Sequence, residues 1–284
     1  MKKKILSISM LALIGLGLTV SSTSCSEKEG CTNPQAKNYD ADAEKDNGTC
    51  DLSGNKLEGN VWTINEDIKK GQDVTWTKDK IYILNKRIVV EDGGKLRIQA
   101  GTIIKGQVGT GANATALLIA RGGKIFAEGT AQDPIIFTST ADVIKAGEVA
   151  SPNLNPSTEG LWGGLIVLGR APISADAASK QIEGIPATDT FGQYGGNVAN
   201  DNSGVYKYIS IRHGGITIGA DNEINGLTLG GVGSGTTVDH IEIVANQDDA
   251  IEIFGGSVNV TNILTWAQGD DALDFDEAWS GSIK

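Results

Sequence analysis

Histidine is almost absent from this chain, with two residues in 284, His213 and His240. Neither has a second His or Cys at metal-ligand spacing, which excludes a zinc centre built on them. No Ser-His-Asp grouping can be assembled from spacing either. Basic residues are outnumbered, 24 Lys and Arg against 35 Asp and Glu, for a formal net charge of −11. Lys2, Lys3 and Lys4 fall in the leader described below, so the mature chain is more negative still. That balance excludes a nucleic-acid partner and electrostatic docking on anionic lipid. Past residue 20 no apolar run is long enough to span a bilayer. The Gly-rich stretch 230–235 lacks the Lys-Ser/Thr of a phosphate loop and reads as a turn. Proline is scarce at 6 residues and aromatics at 5%, while glycine is plentiful at 38 without a collagen period. Many short strands joined by tight turns are the expectation.

The N-terminus has the three parts of a secretory signal: a basic start at Lys2 to Lys4, an apolar run over residues 5–20, and small polar residues before Cys25. The signal peptide is expected over residues 1–24; an uncleaved anchor helix is the alternative. The segment resembles a bacterial lipobox, in which Cys25 is lipidated and becomes the first residue, although the usual Leu and small positions are here Ser22 and Ser24. Such spelling is similar to that of Bacteroidetes lipoproteins. Residues 25–30 then form a lipidated, acidic tether, and Ser26-Glu27-Lys28-Glu29 resembles the tag that sends those lipoproteins to the outer face of the outer membrane. More than one acyl chain makes such attachment stable.

With Cys25 lipidated, Cys31 and Cys50 remain as an even pair in an oxidising compartment, and a disulfide is the economical reading. Free thiols are the alternative. Residues 31–51 have almost no apolar core, so a module there needs that cross-link. Residues 30–50 resemble a Cys-framed repeat of secreted Bacteroidetes proteins. Within it Asp40, Asp42, Glu44 and Asp46 alternate before Asn47-Gly48, a pattern similar to thrombospondin type 3 calcium loops. Oxygen ligands so spaced can wrap Ca2+; a solvated acidic loop is the plain reading.

From residue 57 short β-rich runs recur, each ended by Gly or Asn, at 81–84, 87–90, 95–98, 102–105, 116–120, 134–137, 165–168, 208–211 and 226–229. No helical period intervenes, so the chain is all-β. Loops over 141–160 and 174–204 read as excursions from one scaffold. Residues 238–253 align without gaps on 260–275, an offset of 22, and Gly93-Gly94-Lys95 echoes Gly122-Gly123-Lys124 at 29. A period near 22 suits a coil of three short strands and three bends. The expected fold is a right-handed parallel β-helix over residues 57–284; a β-sandwich, the alternative, gives no gapless self-match. Residues 59–284 resemble Bacteroidetes surface lipoproteins of unknown function, through Trp62, Trp76, Trp162-Gly163-Gly164, the run 222–229 and the acidic run 248–256. The chain stops at Lys284 within a newly begun coil, and a continuation or a covering partner is the expectation.

The offset stacks Asp248 beneath Asp270 and Glu252 beneath Asp274, about 4.8 Å apart. Like charges that close need a bound cation, a raised pKa, or backbone N–H partners for Asp249 and Asp271. Alternation turns Ile251, Ile253, Leu273 and Phe275 inward, and Asp248, Ala250, Glu252, Asp270, Asp274 and Asp276 outward. Asp248, Glu252, Asp270 and Asp274, with Trp266 and Trp279 nearby in sequence, form a candidate glycan-binding strip. Gly269-Asp270-Asp271 is similar to a segment of the polygalacturonases, β-helical enzymes working through several Asp residues. On that reading Asp248, Asp270, Asp271 and Asp274 are the catalytic candidates. The partner motifs of those enzymes are missing, and Arg212-His213-Gly214 is the nearest echo. The expectation is therefore a non-enzymatic, lipid-anchored protein of the outer membrane facing the cell exterior. It would bind glycan or protein or serve an outer-membrane complex, with Ca2+ as its one candidate cofactor. A polysaccharide-degrading enzyme is the alternative.

Overall fold

The computed structural model describes residues 27–284 apart from 34, 35, 37, 52, 53, 112, 113, 220 and 221. The leader, Cys25 and Ser26 lie outside the described residues. Among the described residues there is no α-helix, and none long and apolar enough to cross a membrane.

The N-terminal module is tied by the Cys31–Cys50 disulfide. Glu29–Gly30 pairs in parallel with Lys45–Asp46, and the Lys45 ammonium meets Glu29 at 2.6 Å. Asn38 Nδ2 donates to the Thr49 carbonyl at 2.7 Å, bracing the backbone beside Cys50.

The rest is a parallel β-helix with three strands per coil. One sheet stacks Ile88–Val90, Leu117–Ile119, Leu165–Leu168, Leu227–Gly230, Ile251–Phe254 and Leu273–Asp276. A second stacks Asp73–Trp76, Lys95–Ile98 and Lys124–Glu128, and a third stacks Val61–Ile64, Ile81–Leu84, Ile103–Gly106 and Ile135–Ser139. The second and third sheets fuse at the long strand Gly204–Arg212 and stay fused through Thr237–Val244 and Asn259–Trp266. Register confirms the repeat: Thr237 faces Asn259 and Ile251 faces Leu273, both 22 residues on, and Lys95 faces Lys124. The Gly-Gly-Lys echo has a steric cause, since a Cβ on Gly94 or Gly123 would sit 2.6 or 2.4 Å from a neighbouring coil's carbonyl.

Where the two sheets fuse, one residue per coil turns the corner. Tyr208, His240 and Asn262 stack there with φ of 49°, 55° and 54°. Left-handed backbone costs an L-residue about 1–2 kcal/mol. The Tyr208 and His240 rings, 4.2 Å apart, and Asp239, which accepts from Thr261 Oγ1 and Asn262 Nδ2, offset that cost.

Inward residues fill one continuous core from Ile64 to Val260, with Trp76 and Tyr82 stacked at 4.8 Å. Both excursions carry cores of their own. Ile182, Ile185 and Tyr194 of the 174–204 segment lie over Val89, Leu118, Ile166 and Phe254, covering the outer face of the first sheet. Ile144 of the 141–160 segment lies on Ile81, Ile103 and Ile136, the outer face of the third. Lys105, 7% exposed, holds that second excursion by donating to the carbonyls of Asp142 and Ile144 at 2.6 and 2.8 Å.

Two orientations differ from strict alternation. Ala250 belongs to the main core rather than the outer face, because the strand begins only at Ile251. Phe275 stacks on Trp279 at 4.9 Å yet is 46% exposed, because its strand has a partner on one side only.

Candidate functional site

The site grows from the turn that delivers the chain into the first sheet. The repeat places Asp248-Asp249 and Asp270-Asp271 one coil apart, and Ile251 pairing with Leu273 sets Glu252 beside Asp274. Asp249, 8% exposed, turns back so that its Oδ1 accepts the backbone N–H of Asp271 at 2.9 Å. Its own carbonyl accepts from Asn246 Nδ2 at 2.7 Å. Asp249 therefore serves as the rung between coils, while Asp271 is exposed and meets the earlier coil through its backbone, its N–H donating to Asp249 and its carbonyl accepting the Ala250 N–H at 3.0 Å.

Two groups of carboxylates result. Asp248, Asp249 and Asp270 bring one oxygen each within 4.8 Å of one another, and so do Asp249, Glu252 and Asp274. Asp249 belongs to both. Of the candidate residues, the fold thus gathers Asp248, Glu252, Asp270 and Asp274, and leaves the Asp271 carboxylate outside. Glu252 points away from the main core as alternation requires. It is nevertheless only 7% exposed, because the first sheet's outer face is covered by the 174–204 excursion.

Electrostatics follow from that cover. Burial raises the Glu252 pKa to about 8, with the Glu183 charge adding to it. Burial likewise lifts Asp249 to about 6, and raises Asp248, to which Glu223 adds its charge. The charges that act most on these three acids are those of other carboxylates. Asn225, 2% exposed, donates Nδ2 to Glu252, and its Oδ1 is buried without a partner. Each group of three carboxylates offers hard oxygen ligands of the kind a divalent cation such as Ca2+ takes.

Asn225, Glu183 and Glu223 were beyond sequence reasoning as site residues. Asn225 sits inside the 222–229 run, which carried a signal without a role. Glu183 comes from the excursion, whose path over the sheet no periodicity reveals.

The two tryptophans lie elsewhere. Trp279 packs against the end of the core and donates Nε1 to the Val258 carbonyl at 3.1 Å. Trp266, 59% exposed, belongs to the outer face of the third sheet, beside Glu242 and Val244. In the N-terminal module Asp40 pairs with Lys28 at 3.0 Å, and Asp46 Oδ1 accepts the Gly48 N–H at 2.8 Å. The clusters of converging acids among the described residues do not include Asp40, Asp42, Glu44 or Asp46.

Residues 67–284 match the family of pectate-lyase-like β-helix domains. The chain belongs to that family. No curated protein and no solved structure matches it. Membership in a pectate-lyase-like group is compatible with glycan binding or with polysaccharide degradation, and the acidic cluster lies on a β-helix of that kind.

Proposed function

We propose that this protein is a lipid-anchored, cell-surface β-helix that binds glycans without cleaving them, through a divalent cation held at Asp249, Glu252 and Asp274. One observation carries the reading: two carboxylate groups share Asp249, and the charges that act most on Asp248, Asp249 and Glu252 are those of other carboxylates. Carboxylates this close and this buried require either protons or a cation. The orphaned Asn225 oxygen supports the cation, because a buried acceptor without a donor costs about 1–3 kcal/mol. A cation there would be ligated on its inner side by the protein, and its outward positions would take sugar hydroxyl or carboxylate oxygens. Lipid at Cys25, the acidic tether and the disulfide-tied module would hold the β-helix off the membrane, where extended glycans can reach it.

A second reading rests on Glu252. A carboxyl held protonated to about pH 8 can act as a general acid toward a glycosidic oxygen, with Asp249 and Asp274 in the same group. A glycan array run with calcium and with EDTA, beside reducing-sugar and unsaturated-uronate assays on the hits, separates the two. Calcium-dependent binding without turnover supports the binding protein; release of reducing ends or unsaturated products replaces it with the enzyme.

A further inference from the structure

A groove separate from the acidic cluster runs between the 149–156 segment and the outer face of the third sheet. Leu154, Pro156, His213, Glu242, Val244 and Trp266 line it. Three observations point to one ligand chemistry. First, the Trp266 indole is 59% exposed, on a strand whose alternation turns it outward beside Val244 of the preceding coil. It adds a flat aromatic face to a groove already lined by Val149, Leu154, Pro156 and Val244, into which Glu242 and His213 bring polar atoms. Second, Glu242 is held rigidly. Its Oε2 accepts from Ser210 Oγ and from Arg212 Nη2, while Arg212 also donates Nε to Ser210 Oγ at 2.6 Å and Nη1 to the Val149 carbonyl at 2.8 Å. Each guanidinium nitrogen thereby has an acceptor, and among the described residues none donates to Glu242 Oε1. Third, His213 is 3% exposed and its Nδ1–H donates to the Thr158 carbonyl at 2.6 Å. Burial lowers its pKa, so the ring is neutral at physiological pH. Its Nε2 is then an acceptor to which no described residue donates, on a side chain more than nine-tenths buried in the groove wall.

The wall opposite the sheet is pre-built. Besides the Lys105 clamp on its carbonyl, Asp142 uses its Oδ1 to accept the Ile144 N–H and the Ser151 hydroxyl, at 3.0 and 2.9 Å. A ligand entering here finds one aromatic plane, two fixed acceptors and no uncommitted cation. It must bring hydroxyl donors and a flat C–H face together, and an anion would meet only Glu242. We propose that this groove is a cation-independent binding site for a neutral pyranose saccharide, stacked on Trp266 with hydroxyls donated to Glu242 Oε1 and His213 Nε2. The C–H face of a pyranose carries positive hydrogens that complement the negative face of the indole ring.

The test is calorimetry and tryptophan emission with cellohexaose, laminarihexaose, mannohexaose and xylohexaose, in EDTA, with hexagalacturonate as the anionic comparator. At least one neutral hexasaccharide is expected to bind and shift the emission to the blue. Trp266→Ala should weaken that binding about tenfold or more, the loss of one stacking contact, and Trp266→Phe by less. Glu242→Gln should also weaken it, while Glu252→Gln, in the acidic cluster, should leave it unchanged. Circular dichroism checks that the exposed Trp266 can be removed without unfolding. Failure of all four neutral sugars to bind overturns the proposal, as does wild-type affinity in Trp266→Ala or equal affinity for hexagalacturonate. Sugar binding that vanishes in EDTA or in Glu252→Gln also overturns it, and assigns the sugar to the acidic cluster instead.

Discussion

Asp249 Oδ1 accepts the Asp271 backbone N–H across one coil at 2.9 Å. These residues occupy the same position of the 22-residue repeat, yet only the earlier one spends its carboxylate on the scaffold. Asp249 groups with Asp248 and Asp270 and also with Glu252 and Asp274. Structural and ligand-binding roles therefore meet in a single side chain, and four consequences of this fold can be measured.

Calcium should raise the melting temperature at pH 8. A ligand present at about 100 Kd stabilises by about 2.7 kcal/mol, which in a chain of this size is about 5 °C or more. Glu252→Gln should abolish that increment while raising the melting temperature in EDTA, because it removes a buried charge and keeps the acceptor for Asn225. Differential scanning calorimetry of both proteins, with and without calcium, checks both signs. A loss of stability in EDTA on replacing Glu252 would contradict the repulsion argument.

The cation-free protein should lose stability as pH rises. Glu252 and Asp249 have folded pKa values of about 8 and about 6, above their unfolded values, so the native state binds more protons between. Stability is then highest near the unfolded pKa values and falls as pH climbs through 6 and 8. Urea melts in EDTA from pH 5 to pH 9 should show this decline, and Glu252→Gln should remove its upper part. A flat profile in the wild type would show that these acids ionise without cost.

Lys105→Met should loosen the 141–160 excursion. The substitution keeps the buried stem but strands two carbonyls and deprives Asp142 of its nearby cation. A cost of about 2 kcal/mol is expected from the unmet acceptors, together with faster protease cleavage within 143–156. Limited proteolysis followed by mass spectrometry locates the cut; unchanged cleavage there would mean that the Ile144 contacts alone hold the excursion.

Reduction of Cys31–Cys50 should act locally. The bridge closes a loop of sequence separation 19, and its loss should destabilise the module by about 3 kcal/mol. The module shares little apolar core with the β-helix, so cleavage within 31–51 should accelerate while the main melting transition stays in place. A shift of that main transition would instead show that the two units fold together.

Much of the architecture was legible in the residues. The 22-residue self-match and the Gly-Gly-Lys echo at 29 both reappear as strand register, because stacked coils must repeat their inward side chains at fixed intervals. The stacking of Asp248 with Asp270 and of Glu252 with Asp274 followed from that period. Less legible were Val61–Ile64, Asp73–Trp76 and Lys124–Glu128, where exposed polar residues or tryptophans dilute the apolar pattern. Alternation also failed at Ala250, since a period of two holds only inside a strand.

By itself, then, the sequence determined the coil length, the three-strand turn and the pairing of acids between coils, all of which repetition encodes. Only the tertiary structure decided what surrounds those acids. The 174–204 excursion folds over the first sheet and turns an outward Glu252 into a buried one with a pKa of about 8, while its Glu183 adds charge and Asn225 donates a hydrogen bond to that carboxyl. The same holds for Trp266, which stands on the outer face of the third sheet, in a groove walled by the 149–156 segment. Excursions contribute contacts at long sequence separation and carry no period, so their packing cannot be read along the chain.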